Sequence, residues 1–441
     1  MTSRPASAAR TPGSTRAPLP AGLAAFQGWP QLITSVADEV VLTTVQDMHR
    51  AISRGAFRWV GPIGRPVEQV HDTVVGAVYG LVRRGLRGAG EVGAALTRRA
   101  AATSGGVAPT PSRGGLRGQA IAHGVAAEHI AESATDLDME VTLVHERQPL
   151  APDPTALRAA VPATGGELVV LLHGLVHNDD LWDETTEQAA TIPEVAIEAG
   201  WTPVRVRYGT GRAIGRNAAD LAQLLEATVA AWPVPVTRIV LVGHSMGGLL
   251  ARAAVLAARD LELGWPSVTT DVIYLGTPHL GSWLEKVANV TSWTLRHSSS
   301  RAAPLGTLLD GRSRGIKDLR FGALDDTDYD GAPIDGLLTG RADPRPWDDA
   351  LRHHTLVGRL REPARHPLTL ALGDGLVRTA AAAGQGLSRR IDGTVSVATA
   401  TGRHTRLTSH PEARRLVRAV LTDGREEATD APRRTAPSDG G

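Results

Sequence analysis

Gly243-His244-Ser245-Met246-Gly247 follows directly on the apolar, β-branched run Ile239-Val240-Leu241-Val242 and leads into Gly248-Leu249-Leu250-Ala251-Arg252, which reads as the start of a helix. A strand that turns this abruptly into a helix holds its central serine in strained backbone, and glycines on both sides leave room for the turn. Such an elbow lifts the Ser245 hydroxyl above the sheet edge, with the amide groups and positive dipole end of the helix behind it. The chemistry this suits is nucleophilic attack on a carbonyl with stabilisation of the resulting oxyanion. The competing reading is a structural turn, since a chain with 48 glycines can match G-x-S-x-G by chance; the flanking strand and helix weigh against it.

Other elements must bring partners to that hydroxyl. Glu167-Leu168-Val169-Val170-Leu171-Leu172 reads as a buried strand ending in His173-Gly174-Leu175, and Asp271-Val272-Ile273-Tyr274-Leu275 as another, capped by Gly276-Thr277-Pro278-His279-Leu280-Gly281-Ser282. Met139–His145 is the expected first strand and His354–Gly358 a late one. Thr394–Thr399 alternates as a strand does, ahead of Gly402-Arg403-His404, and Pro411–Leu421 has apolar residues at helical spacing with proline in its first turn.

GHSMGG followed by LGTPHLGS, with HGL upstream, resembles the serine lipase and esterase branch of the α/β-hydrolase superfamily, over roughly residues 115 to 422. The segment Ser313-Arg314-Gly315-Ile316-Lys317-Asp318-Leu319-Arg320-Phe321-Gly322 is similar to one in a group of actinobacterial hydrolases of unassigned substrate; it speaks for membership and not for chemistry. The resemblance implies an α/β fold with a mostly parallel sheet flanked by helices. It also implies oxyanion donors at the backbone N–H groups of Leu175 and Met246. His173 is then a loop histidine bonded to its neighbours, because the general base should come later in the chain. Lipases of this branch place an aspartate in a G-D-G-hydrophobic-Val segment, which carries the acid role onto Asp374 in Gly373-Asp374-Gly375-Leu376-Val377. The alternative for Asp374 is a turn aspartate bonded to its own backbone. Arg378-Thr379-Ala380 departs from the proline and serine that commonly follow, and Asp392 stands in reserve. The histidine loop of related hydrolases fits His404, Leu407 and Pro411, leaving His410 as a capping or surface residue.

The order Ser245, Asp374, His404 is the one this superfamily uses. It implies hydrolysis of a small-molecule or lipid ester through an acyl-enzyme, without cofactor or metal. Acyl transfer on the same residues, or a catalytically silent fold used for binding, are the alternatives. Around this core, residues 1–22 are expected to be disordered and 23–100 to form a helical accessory region, with stripes at Ile33, Val36, Val40, Val41, Val45, Met48, Ile52 and at Val67, Val70, Val74, Val78, Leu81. A linker at 101–118, a hydrolase domain at 119–424 with a cap at about 282–352, and a disordered tail at 425–441 complete the expected organisation. The cap is expected to carry an apolar stripe from Trp283 to Leu295, and its acidic stretch Asp325–Gly331 lacks calcium-loop spacing and reads as solvated loop.

Composition narrows the rest. With no cysteine there is neither disulfide nor thiol chemistry, and a net charge of +1 with arginines scattered among acids gives no case for nucleic acid. The amino terminus has no sustained apolar stretch, so cytoplasmic residence is the expectation, although lipases of related branches are often secreted. The accessory helices, basic at Arg83, Arg84, Arg87, Arg98 and Arg99, offer peripheral membrane contact, against the alternative of a hairpin packed on the hydrolase.

Overall fold

The apolar runs at 167–172, 239–242 and 271–275 lie side by side at the centre of one sheet, because strands covered on both faces need hydrophobic residues at every position rather than at alternate ones. In the computed structural model, which describes residues 113–133, 139–161, 165–184, 189–282, 313–329, 344–361, 374, 376–386 and 389–429, the sheet has eight strands in the order β2-β1-β4-β3-β5-β6-β7-β8. They are β1 Thr142–His145, β2 Gln148–Leu150, β3 Glu167–Leu172, β4 Thr202–Arg207, β5 Arg238–His244, β6 Thr269–Leu275, β7 Arg352–Arg359 and β8 Ser396–Thr401. β1 runs antiparallel to both its neighbours, and every pair from β4 to β8 is parallel.

Alternation along β3 divides the core in two. Leu168, Val170 and Leu172 face helices α4 (Ile214–Ala231) and α5 (Met246–Asp260), while Val169 and Leu171 face α3 (Ile192–Glu198) and α8 (Pro411–Thr429). α1 (Arg113–Ser133) precedes the sheet, and α2 (Pro154–Ala160), α6 (Arg314–Asp318) and α7 (Thr379–Ala382) are short. Register aligns Leu172 with Gly243, His244 with Leu275, and Leu275 with Leu356, so the chain leaves β3, β5, β6 and β7 along one carboxyl-terminal edge.

The opposite ends of β6, β7 and β8 are tied together by a buried carboxylate and its hydrogen-bond partners. Fully buried Asp271 accepts from Arg352 Nε (2.8 Å) and Nη2 (3.0 Å) and pairs with His354 Nε2 (2.9 Å), whose Nδ1 meets Ser396 Oγ at 2.9 Å. Burial works to raise the Asp271 carboxyl, but the hydrogen bonds from His354 and Arg352 overcome it and hold it down at about 2.

Three expectations change. Residues 113–118, expected in a linker, are the first turns of α1, which packs on α6 through their contacts and through Ser313 Oγ donating to Gly124 O at 2.5 Å. α8 continues to Thr429, into the stretch expected as disordered tail. The described part of the acidic stretch, residues 325–329, is a salt-bridged turn and not a solvated loop: Arg345 pairs with Asp325 and with Asp328 (3.1 Å), and Arg314 with Asp326 (2.5 Å). The accessory region at 23–100 and the stripe from Trp283 to Leu295 lie outside the described residues. Among the described residues no helix is long and apolar enough to cross a membrane.

Candidate active site

Ser245 stands between β5 and α5 with φ 53° and ψ −118°, left-handed backbone that a non-glycine residue adopts only under constraint. The constraint is close packing of the helix against the sheet. A Cβ on Gly243 would lie 2.4 Å from Gly248 N, and one on Gly247 would lie 2.2 Å from Leu172 O, so neither position tolerates a side chain without moving backbone. The Ser245 N–H is spent on Leu275 O at 2.9 Å, which fixes the elbow to the end of β6.

Beyond β6, Gly276 has φ +67°, and a Cβ there would lie 3.1 Å from both Cε1 and Nδ1 of His404. The imidazole therefore rests over Gly276, one residue from the strand end that holds the Ser245 amide. Three bonds fix His404. Its N–H donates to Asp374 O (3.1 Å), its Nδ1 meets Asp374 Oδ2 at 2.7 Å, and its carbonyl oxygen accepts from His244 Nε2 at 3.2 Å. With Nδ1–H donating to the Asp374 carboxylate, the neutral imidazole carries its lone pair on Nε2. Asp374 sits against Gly358 of β7, where a Cβ would come within 2.6 Å of its own Cβ. Its other oxygen, Oδ1, accepts from the N–H groups of Leu376 (3.1 Å) and Val377 (2.9 Å).

Gly174 brings the loop after β3 over the elbow: a Cβ there would be 3.1 Å from Ser245 Cβ. In this loop Val176 N–H is taken by Thr210 Oγ1 (3.2 Å) and His177 N–H by Gly174 O (3.2 Å). Val176, although β-branched, is held at φ 56°, a strain of about 1–3 kcal/mol. Met246 occupies the first position of α5, where helix geometry supplies no acceptor for its N–H. His173 is fully buried, stacked on Tyr208 at 4.3 Å, with Nε2 accepting from Tyr208 N (3.3 Å) and Nδ1 on Gly174 O (3.1 Å). Burial is the main reason its pKa falls to about 4, so it is a neutral brace for this loop.

Ser245 and His404 open onto one cavity of about 360 Å³, also lined by Leu175, Pro278, Ile316, Leu319 and Val377. No hydrogen bond joins the Ser245 hydroxyl to His404 among the described residues; such bonds are often long before substrate binds. Asp392 lies elsewhere, exposed in a turn whose carbonyl accepts from Trp347 N at 2.8 Å. His410 Nδ1 accepts from Glu412 N (3.1 Å) at the start of α8. Among the described residues no three His, Cys, Asp or Glu side chains form a group that could hold a metal ion.

Sequence reasoning passed over His244. It is fully buried, its ring lies 5.1 Å from that of His404, and burial, followed by the neighbouring His404, pushes its pKa well below 6.5. A neutral imidazole donating from Nε2 to the His404 carbonyl anchors the very loop that presents His404. The signal was its place inside the elbow motif, where a strand's last side chain must face either the core or the site.

The strained serine between a central parallel strand and a helix, at the carboxyl edge of an eight-stranded sheet covered on both faces, gives this chain the architecture of the α/β-hydrolase fold. Its residues 163–325, from just ahead of β3 to beyond α6, match the family model described as "Putative serine esterase (DUF676)". Among solved structures, the chain is similar to the Bacillus licheniformis lipase BlEst2 in propeptide form, at 19% identity and a TM-score of 0.40, over 59% of this chain and 51% of that one. The chain thus spans about half the length of that lipase. It is also similar to the Staphylococcus hyicus lipase, at 13% identity and a TM-score of 0.33 over 60% of this chain and 95% of that one. The RedJ thioesterase of the prodiginine pathway in Streptomyces coelicolor aligns at 16% identity and a TM-score of 0.32, over 59% and 88% of the two chains. No curated protein matches.

Proposed function

We propose that this protein is a serine hydrolase of carboxylic esters, acting through Ser245, His404 and Asp374. His404 Nε2 takes the Ser245 proton as Oγ attacks the ester carbonyl, and Asp374 holds the imidazole in the tautomer that leaves Nε2 free and then stabilises the imidazolium. The oxyanion accepts from the N–H groups of Leu175 and Met246; in another serine hydrolase one such donor is worth about 2.7–4 kcal/mol. The imidazolium returns its proton to the departing alcohol. Water, deprotonated by the same nitrogen, then releases the acid and restores Ser245.

The observation that carries this reading is the 2.7 Å contact between His404 Nδ1 and Asp374 Oδ2, made at strand ends adjoining a serine held at φ 53°. The match to a serine esterase family model over residues 163–325 supports it. A purified Ser245→Ala variant should lose at least about a thousandfold of the turnover of a short p-nitrophenyl ester, as nucleophile loss does elsewhere. Turnover equal to the parent's rejects the mechanism. Added alcohol separates the two fates of the acyl-enzyme, since ester products in place of acid mark an acyltransferase.

A further inference from the structure

Resting on the serine hydrolase reading, we propose that the segment Ser313–Gly322 is the acyl-binding wall of the site, and that the acyl group it takes is an uncharged hydrocarbon chain.

The segment divides its residues between two tasks. Ile316 and Leu319, three apart and so on one face, line the cavity that holds Ser245 and His404. Ser313, Arg314 and Asp318, absent from that lining, fasten the segment to the body. Asp318, nearly fully buried, accepts from Ile214 N (2.9 Å) at the start of α4 through one oxygen, and from Arg314 Nε (2.8 Å) and Tyr329 OH (2.7 Å) through the other. Ser313 reaches α1, and Ser282 N donates to Leu319 O at 2.8 Å, tying in the loop after β6. Gly315 has no room for a side chain, since a Cβ there would stand 2.0 Å from Thr210 O.

That last contact links wall to chemistry. The Thr210 whose carbonyl presses on Gly315 also holds Val176 N–H with its hydroxyl, so one turn supports both the acyl wall and the loop proposed to donate to the oxyanion. Leu175, Val176, Leu376 and Val377 line the same cavity. The described lining contains no Asp, Glu, Lys or Arg, so a charged acyl group would lose its hydration there without gaining a partner. A cavity of about 360 Å³ falls in the range of small-molecule sites and exceeds what an acetyl group needs.

Each methylene moved from water into such a surface is worth up to about fourfold in kcat/KM. The test is a p-nitrophenyl ester series from acetate to dodecanoate on the full chain. For the parent, kcat/KM should rise at least about tenfold between acetate and octanoate. Ile316→Trp, which fills the cavity, should lower the octanoate-to-acetate ratio at least about tenfold, and Ile316→Ala should raise the dodecanoate-to-octanoate ratio. Ratios within about twofold of the parent's in both variants, with Ser245 still labelled by a small fluorophosphonate, overturn the wall. A parent protein that takes no label overturns the hydrolase reading beneath it.

Discussion

Asp374 splits its carboxylate between two uses that sequence reasoning had set against each other. Oδ1 closes a turn on Leu376 and Val377, and Oδ2 meets His404, so the turn aspartate and the histidine partner are one residue with an oxygen for each. Asp374→Asn keeps an acceptor for the turn but offers His404 Nδ1 an amide N–H, which favours the tautomer with its proton on Nε2. By analogy with such a change in another serine hydrolase, kcat should fall about 10⁴-fold, with a melting temperature close to the parent's. A fall below about tenfold in steady-state kinetics removes Asp374 from the proposed mechanism. The elbow around Ser245 is legible because the tight turn demands Gly243 and Gly247, whereas Asp374 and His404 are singled out only by the resemblance of their segments. The role of His244 is not legible, because its partner, the His404 carbonyl, lies 160 residues away.

At the scale of elements, legibility followed burial. β3, β5 and β6 announce themselves as apolar runs because both faces of a central parallel strand are covered. β4 does not: Thr202-Pro203-Val204-Arg205-Val206-Arg207 places a proline and two arginines in a strand, acceptable only because Arg205 finds Asp183 (2.6 Å) and Arg207 finds Asp179 (2.5 Å). Those partners come from the 3₁₀ helix Asp179–Asp183, which the strand's own letters do not mention. α6 depends still more on distant contacts, being five residues long and anchored by Asp318 to Ile214, 104 positions earlier. Removing that carboxylate leaves the Ile214 amide, the Tyr329 hydroxyl and part of the Arg314 guanidinium without acceptors. Asp318→Ala should therefore cost about 3 kcal/mol in a urea titration, and Asp318→Asn less. Equal stability of Asp318→Ala and the parent would mean that this anchor holds nothing.

Across the whole molecule, buried neutral histidines set the response to acid. Burial, first among the causes, lowers His173 and His353 to about 4, and it pushes His244 and His279 well below 6.5. In the unfolded chain imidazoles take up protons near pH 6.5, so between pH 6.5 and 4 the unfolded state binds protons that the fold refuses. Stability is therefore complete above pH 6.5 and is lost as pH falls toward 4, by up to about 1.4 kcal/mol per pH unit for each such group. The Asp271 carboxyl, held at about 2, contributes stability above its ordinary 3.8 and loses it only as pH falls toward 2, outside this window. Urea midpoints should drop between pH 7 and pH 5, more shallowly in His353→Gln. A midpoint unchanged over that range would show these imidazoles to be protonated in the fold.

Ser245 activated as a nucleophile by His404 can be tested by labelling with a small fluorophosphonate, read by intact mass and peptide mapping. One phosphonyl group per chain is expected, on Ser245, and it should be lost in His404→Ala. An unlabelled protein, or a label that persists on Ser245 at the parent's rate after His404 is removed, contradicts that activation.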